Sequence, residues 1–90
     1  MSKSVREKIK VIITIHVVPE KSNIAKEFLS KFEAAKEVYE VTGDYDFFAI
    51  AEFDSLSELS KTIEEMRSQQ WILKTTTSII LTVVRGETNS

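Results

Sequence analysis

The chain has 90 residues, 12 Lys+Arg against 14 Asp+Glu, a formal net charge of −2 and no cysteine, which predicts one small domain and excludes disulfides and thiolate metal sites. A domain of this size buries only about 60–65 per cent of its unfolded surface, so self-association is the expected reinforcement. The longest apolar run falls well short of the ~18 residues of a bilayer span, the polar N-terminus lacks a signal-peptide core, and the acidic stretch 44–65 would repel phosphate. The expectation is a soluble, cytoplasmic protein with no membrane partner and no direct nucleic-acid partner.

The N-terminal stretch carries Lys3, Arg6, Lys8 and Lys10, interrupted by Glu7, and reads as a solvated basic end; residues 1–7 are expected to be flexible. The run KIKVIITIHVV, residues 8–18, is β-branched almost throughout. Its two-residue period puts Ile9, Val11, Ile13, Ile15 and Val17 on one face and Ile12, Thr14, His16 and Val18 on the other. Pro19 stops this strand, and Ser22 or Asn23 is placed to accept from the first free amides of a helix. Ile24, Phe28, Phe32 and Ala35 recur at helical spacing, so a helix is predicted over 23–36. VYEVT and FFAIAEF follow as two short strands joined through Gly-Asp-Tyr-Asp, most simply as an antiparallel hairpin. Ser55 and Glu58 form a capping-box pattern, and Leu56, Leu59, Ile63 and Met66 make the apolar stripe of a helix over 56–69. TTTSIILTVV, 75–84, is the last predicted strand, and 85–90 is a polar tail.

The order β-α-β-β-α-β predicts an α+β, ferredoxin-like fold over 8–84: a four-stranded antiparallel sheet with both helices on one face. The uncovered face is also rich in apolar residues. On the last strand either Thr75, Thr77, Ile79, Leu81 and Val83 or Thr76, Ser78, Ile80, Thr82 and Val84 could face it, and both sets contain large apolar side chains. A sheet apolar on both faces with only two helices needs a second layer, most simply the same sheet of another copy, so a homodimer packed sheet to sheet is expected.

The segment VYEVTGDYDFFAIAEF, followed after a helix by ILKTTTSIIL, resembles the effector-binding domain of the Lrp/AsnC transcription regulators, the RAM domain. Val41, Thr42, Gly43, Asp44, Tyr45 and Asp46 match the first motif, and Thr75, Thr77, Ile79, Ile80 and Leu81 the second; the resemblance spans about residues 9–84. It implies an amino-acid or similar small-metabolite effector, held where the hairpin loop meets a neighbouring dimer. It also implies an oligomer of dimers and a role in transcription regulation of metabolism. Members of the family usually carry an N-terminal helix-turn-helix, and here the first strand begins almost at once. The expectation is therefore a stand-alone effector domain that acts without reading DNA, through co-assembly with full-length Lrp/AsnC regulators. Gln70 and Trp71 stand where the family tends to place Pro-Gly, a departure that would reshape the pocket.

The candidate ligand-binding residues are Gly43, Asp44, Tyr45, Asp46, Thr75 and Thr77. An aspartate accepts from an ammonium, Gly43 allows close approach of a backbone N–H, and the threonine hydroxyls can donate to a carboxylate. Turn chemistry alone accounts for Gly and Asp in a hairpin, and β-propensity alone accounts for the threonines. His16, the only histidine, has no cysteine near it and reads as a packed or water-bonded side chain. Trp71 reads as a plug at the helix-to-strand junction. No nucleophile elbow, phosphate loop or metal spacing is present, so no cofactor, metal or catalytic residue is expected. Two other readings stay open: a cofactor-free oxygenase or isomerase with His16 lining a cavity, and a purely structural oligomerisation module.

Overall fold

In the computed structural model, residues 8–86 are described; the N-terminal segment 1–7 and the last part of the expected tail lie outside them. β1 spans Ile9–Val17, α1 Ser22–Ser30, β2 Ala35–Glu40, β3 Phe47–Phe53, α2 Leu56–Arg67 and β4 Ile72–Ile79, with a single 3-10 turn, Pro19–Lys21, ahead of α1. The strands form one four-stranded sheet in the order β2-β3-β1-β4, with every pairing antiparallel. The ferredoxin-like expectation is met.

The alternation along β1 decides which face is covered. Val11, Ile13 and Ile15 are fully buried and pair with Ala51, Ala49 and Phe47 of β3. Ala25 and Leu29 of α1 and Leu59, Ile63 and Met66 of α2 join them in one core. The small Ala49 and Ala51 leave room for the helices to approach, while Phe47 fills the space beside them; burying such a side chain contributes about 1.5–3 kcal/mol. Ile12, Thr14, Phe48 and Ile50, one residue out of phase, are only partly buried.

Several element boundaries depart from the periodicity, each for a local reason. α1 stops at Ser30 instead of 36, because the Lys31 and Phe32 amides turn back onto the Phe28 and Leu29 carbonyls and the Glu52 amide donates to Ala34, drawing the chain into β2. Phe32 and Ala35 therefore reach the core from a turn and a strand, and Ile24, expected in the stripe, is exposed. Neither Ser22 nor Asn23 caps α1: Lys21 takes that position with no side-chain hydrogen bond, because the turn begun at Pro19 runs straight into the helix, its Lys21 amide bonded to Val18 at 2.8 Å. At α2 the capping box forms with one change. Ser55 Oγ accepts from the Glu58 amide at 3.1 Å, whereas the Glu58 carboxylate accepts from Asp54, one residue before the cap.

α2 ends at Arg67, where the Ser68 and Gln69 amides close the last turn on Glu64, Glu65 and Met66; Leu56, at its start, is exposed. β4 begins at Ile72, three residues before the threonine run, because the Val18 amide donates to the Trp71 carbonyl at 2.9 Å and ties the strand's start to the end of β1. Trp71 is buried edge-on to Phe28, ring centres 5.2 Å apart, which makes it a core plug. The last rung is the Ile80 amide on the Lys10 carbonyl. β1 starts at Ile9, and among the described residues the predicted continuation to Val84 has no strand to pair with.

Candidate functional site

The loop between β2 and β3 is built by backbone bonds at both ends. The Val41 amide donates to Asp46 O and the Asp46 amide to Ile15 O, each at 2.9 Å, which seats the loop against the end of β1. Gly43 supplies the reversal with φ = 114°, a value side chains with a Cβ rarely adopt. The two aspartates part company here. The Asp46 carboxylate accepts from the Val17 amide at 2.8 Å and so clamps the loop to β1 beside the irregularity at His16/Val17. Asp44 is exposed at the loop's tip.

Tyr45 turns onto the open sheet face. It stacks on Phe48 at 6.5 Å and meets His16 edge-on at 6.2 Å, and Phe48 in turn adjoins Tyr39. Tyr39 Oη donates to Glu37 Oε1 at 2.7 Å, and that hydrogen bond, followed by the carboxylate's charge, raises the phenol's pKa above its ordinary 10.0. The loop is thus continuous with a row of aromatic rings across one end of the uncovered face. His16 belongs to this row and lines none of the hollows described below. Among the described residues no group of three or more His, Cys, Asp or Glu could hold a metal, and no helix is long and apolar enough to cross a membrane.

Thr75 and Thr77 lie elsewhere. They pair with Ile15 and Ile13 of β1, so they share the helix-covered face and sit under the outer flank of α2. Thr75 is buried and its Oγ1 accepts from Arg67 Nε at 3.1 Å; Thr77 Oγ1 is buried with no hydrogen-bond partner. Thr77 forms part of a groove of about 460 Å³ between α2 and β4, walled by Leu59, Ile63 and Ile79 with Glu64 and Arg67 at its rim. A smaller hollow of about 250 Å³ lies between α1 and β2 over Leu29, Val38 and Phe47, its rim bridged by Lys26 and Glu40 at 3.2 Å.

Of the six candidates the structure brings Gly43, Asp44, Tyr45 and Asp46 together on one side of β1, and Thr75 and Thr77 on the other, about two strand spacings or ~10 Å away. Sequence reasoning missed Arg67. An arginine in the last turn of a helix reads as a partner for the helix dipole, and only the fold shows it reaching Thr75. Chemically the α2/β4 groove pairs a guanidinium and a hydroxyl, both carboxylate donors, with aliphatic walls.

In class this is a ferredoxin-like α+β domain with one sheet face covered by helices and the other open. The chain belongs to the Lrp/AsnC ligand-binding-domain family, whose model matches residues 10–89. Among curated proteins it is 34% identical over 77 residues to the HTH-type transcriptional regulator LysM of Sulfurisphaera tokodaii, covering 83% of this chain and 54% of that one. The chain thus spans about half the length of the curated relatives it matches. Among solved structures, FFRP-DM1 superposes with a TM-score of 0.77 at 30% identity, covering 81% of this chain and 99% of that one. The transcriptional regulator NMB0573 of Neisseria meningitidis, solved as a complex with L-Met, shares the fold with a TM-score of 0.80 at 14% identity, over 89% of this chain and 54% of that one.

Proposed function

We propose that this chain is a non-enzymatic effector-binding and assembly module that serves transcription regulation by binding a free amino acid or similar small metabolite between copies of itself. The observation that carries this reading is the division of polar groups within one chain. The exposed Asp44 carboxylate stands at the loop on one side of β1. The partnerless Thr77 hydroxyl and Arg67 stand in the groove on the other. A molecule of amino-acid size does not bridge them within one chain, but a neighbouring copy that brings its loop to this groove supplies an ammonium acceptor opposite carboxylate donors. Ligand and assembly are then linked: the ligand stabilises whichever assembly completes the site, and assembly raises apparent affinity. The family's description as ligand binding supports the reading, as does L-Met in the Neisseria complex.

The building block is a dimer in which two open sheet faces pack together, burying Ile12, Phe48 and Ile50 of each. Oligomers of dimers, and co-assembly with full-length Lrp/AsnC regulators, carry the effector signal to DNA-reading partners in the cytoplasm. The enzyme reading requires His16 to line a cavity of substrate size, and His16 instead packs edge-on to Tyr45 on the open face.

Native mass spectrometry against the twenty amino acids, scored for bound mass and for assembly state, tests the proposal. A bound amino acid together with a shift to a larger assembly is expected. Silence across the panel with one fixed assembly overturns it in favour of a purely structural module.

A further inference from the structure

α1 ends at Ser30 after nine residues, and β2 is the outermost strand on its side of the sheet. Between them lies the hollow of about 250 Å³ described above. Its floor is apolar: Leu29 and Phe47 are core side chains, each 2% exposed, and Val38 packs against that core. Its rim carries both signs of charge. Lys26 belongs to α1 and Glu40 is the last residue of β2, so their ion pair at 3.2 Å runs from helix to strand. Ser30 Oγ donates its proton to the Glu27 carbonyl at 2.8 Å, which leaves its oxygen at the rim as an acceptor.

We propose that this hollow is a small-molecule site, complete within one chain, for a free α-amino acid with a branched aliphatic side chain. The two rim charges decide the ligand class. An aliphatic carboxylic acid would gain Lys26 but face Glu40, and an aliphatic amine would meet the reverse. A zwitterion satisfies both: its carboxylate accepts from Lys26 and its ammonium donates to Glu40 and Ser30, so one ion pair is exchanged for two and the rim's net charge is unchanged. The Lys26 and Glu40 side chains are 51% and 53% exposed, and a pair so open to water is held weakly, so opening it opposes binding little. The side chain then leaves water for the floor of Leu29, Val38 and Phe47. The volume lies below the range of about 300–1,000 Å³ that suits drug-sized ligands, which favours a branched aliphatic group over an indole. The hollow is separate from the α2/β4 groove, since β2 and β4 are the two outer strands, about three strand spacings or ~14 Å apart. Asp44 is not in its lining, and no neighbouring copy is needed to complete it.

The test is amide NMR and calorimetry on the full chain with L-leucine as the probe. Saturable shifts at Leu29, Ser30 and Val38 are expected, with one ligand per chain and an affinity independent of protein concentration. Lys26→Gln and Glu40→Gln, both at exposed positions, should leave circular dichroism unchanged and each weaken binding at least tenfold. Isocaproate and isoamylamine, which are leucine without its ammonium and without its carboxylate, should also bind at least tenfold more weakly. Unmoved amides at every L-leucine concentration, or binding undiminished in both variants, overturns the site. Isocaproate or isoamylamine binding as tightly as L-leucine overturns the amino-acid class. Shifts confined to Gly43–Asp46 and Thr77 overturn the hollow and leave the proposed function standing; shifts in the hollow with no change of assembly state support the hollow while the assembly reading fails.

Discussion

The two faces of the sheet are built from the same strands and nearly the same residue types, yet they end in different physical states. Ile13 and Ile15 are 0% exposed beneath the helices, while Ile12 and Ile50, their neighbours along the strands, are only partly covered. The first face is finished within one chain: two short helices, 9 and 12 residues long, suffice to cover a sheet whose centre carries Ala49 and Ala51. Among the described residues no helix covers the second, and the aromatic row Tyr39, Phe48, Tyr45 and His16 lies along it. One face maintains the fold, and the other is the one proposed above for assembly.

The sharpest break of that contrast is at Phe47, 2% exposed on the helix face. Phe47→Ala should cost about 3–5 kcal/mol, a large share of the 5–15 kcal/mol typical of a small domain, and denaturant unfolding should show it as a large fall in midpoint. On the other face Ile50→Asp should leave the monomer's circular dichroism intact while weakening self-association at least tenfold, about 1.4 kcal/mol, in sedimentation equilibrium. Equal effects of the two substitutions on monomer stability would erase the distinction between the faces.

The loop offers the same test on a smaller scale. Asp46→Ala strips the Val17 amide of its carboxylate partner and should destabilise by about 1.5–3 kcal/mol. Asp44→Asn, at the exposed tip, should leave stability within about 0.5 kcal/mol but weaken effector binding about tenfold in calorimetry. The smallest effect belongs to the exposed Lys8–Asp54 pair at 2.9 Å. The hydrogen bond that Lys8 donates to the Asp54 carboxylate, followed by that carboxylate's charge, raises the Lys8 pKa above its ordinary 10.5. Its contribution is therefore fully present below the unfolded value and is lost as pH rises through the higher folded one. Thermal melts of Lys8→Gln and the parent should differ slightly at pH values below the ordinary 10.5 and converge only as pH rises beyond it.

Much of this was legible along the chain. The two-residue period of β1, the capping box at Ser55 and the apolar stripe of α2 are local signals, and each element forms where the pattern predicts it. α1 was overextended because Phe32 and Ala35 satisfy the helical period by coincidence: they do reach the core, but from a turn and a strand. β4 was overextended at its C-terminal end because strand propensity continues to Val84, whereas among the described residues the pairing with β1 ends at the Ile80 amide on the Lys10 carbonyl. At the site, Gly43 and the acidic loop were visible as motif, but the division of labour between Asp44 and Asp46 was not, since the two carboxylates are chemically identical in sequence. Arg67 carried no readable signal at all: it is eight residues from Thr75 in the chain, and only the packing of α2 along β4 brings them within 3.1 Å.

The sequence by itself determined the element order, the ferredoxin-like architecture and the presence of a turn that only a residue like Gly43 makes easily, because periodicity and backbone sterics act within a few residues. Only the tertiary structure decided which alternate set of β4 faces the helices. Both sets are apolar enough to serve, and the choice falls to the register in which Thr75, Thr77 and Ile79 meet Ile15, Ile13 and Val11. That register places a threonine hydroxyl under α2 without a partner, and leaves Thr76, Ser78 and Ile80 on the open face. Strand register is a property of pairs of segments far apart in the chain, and no residue carries it alone.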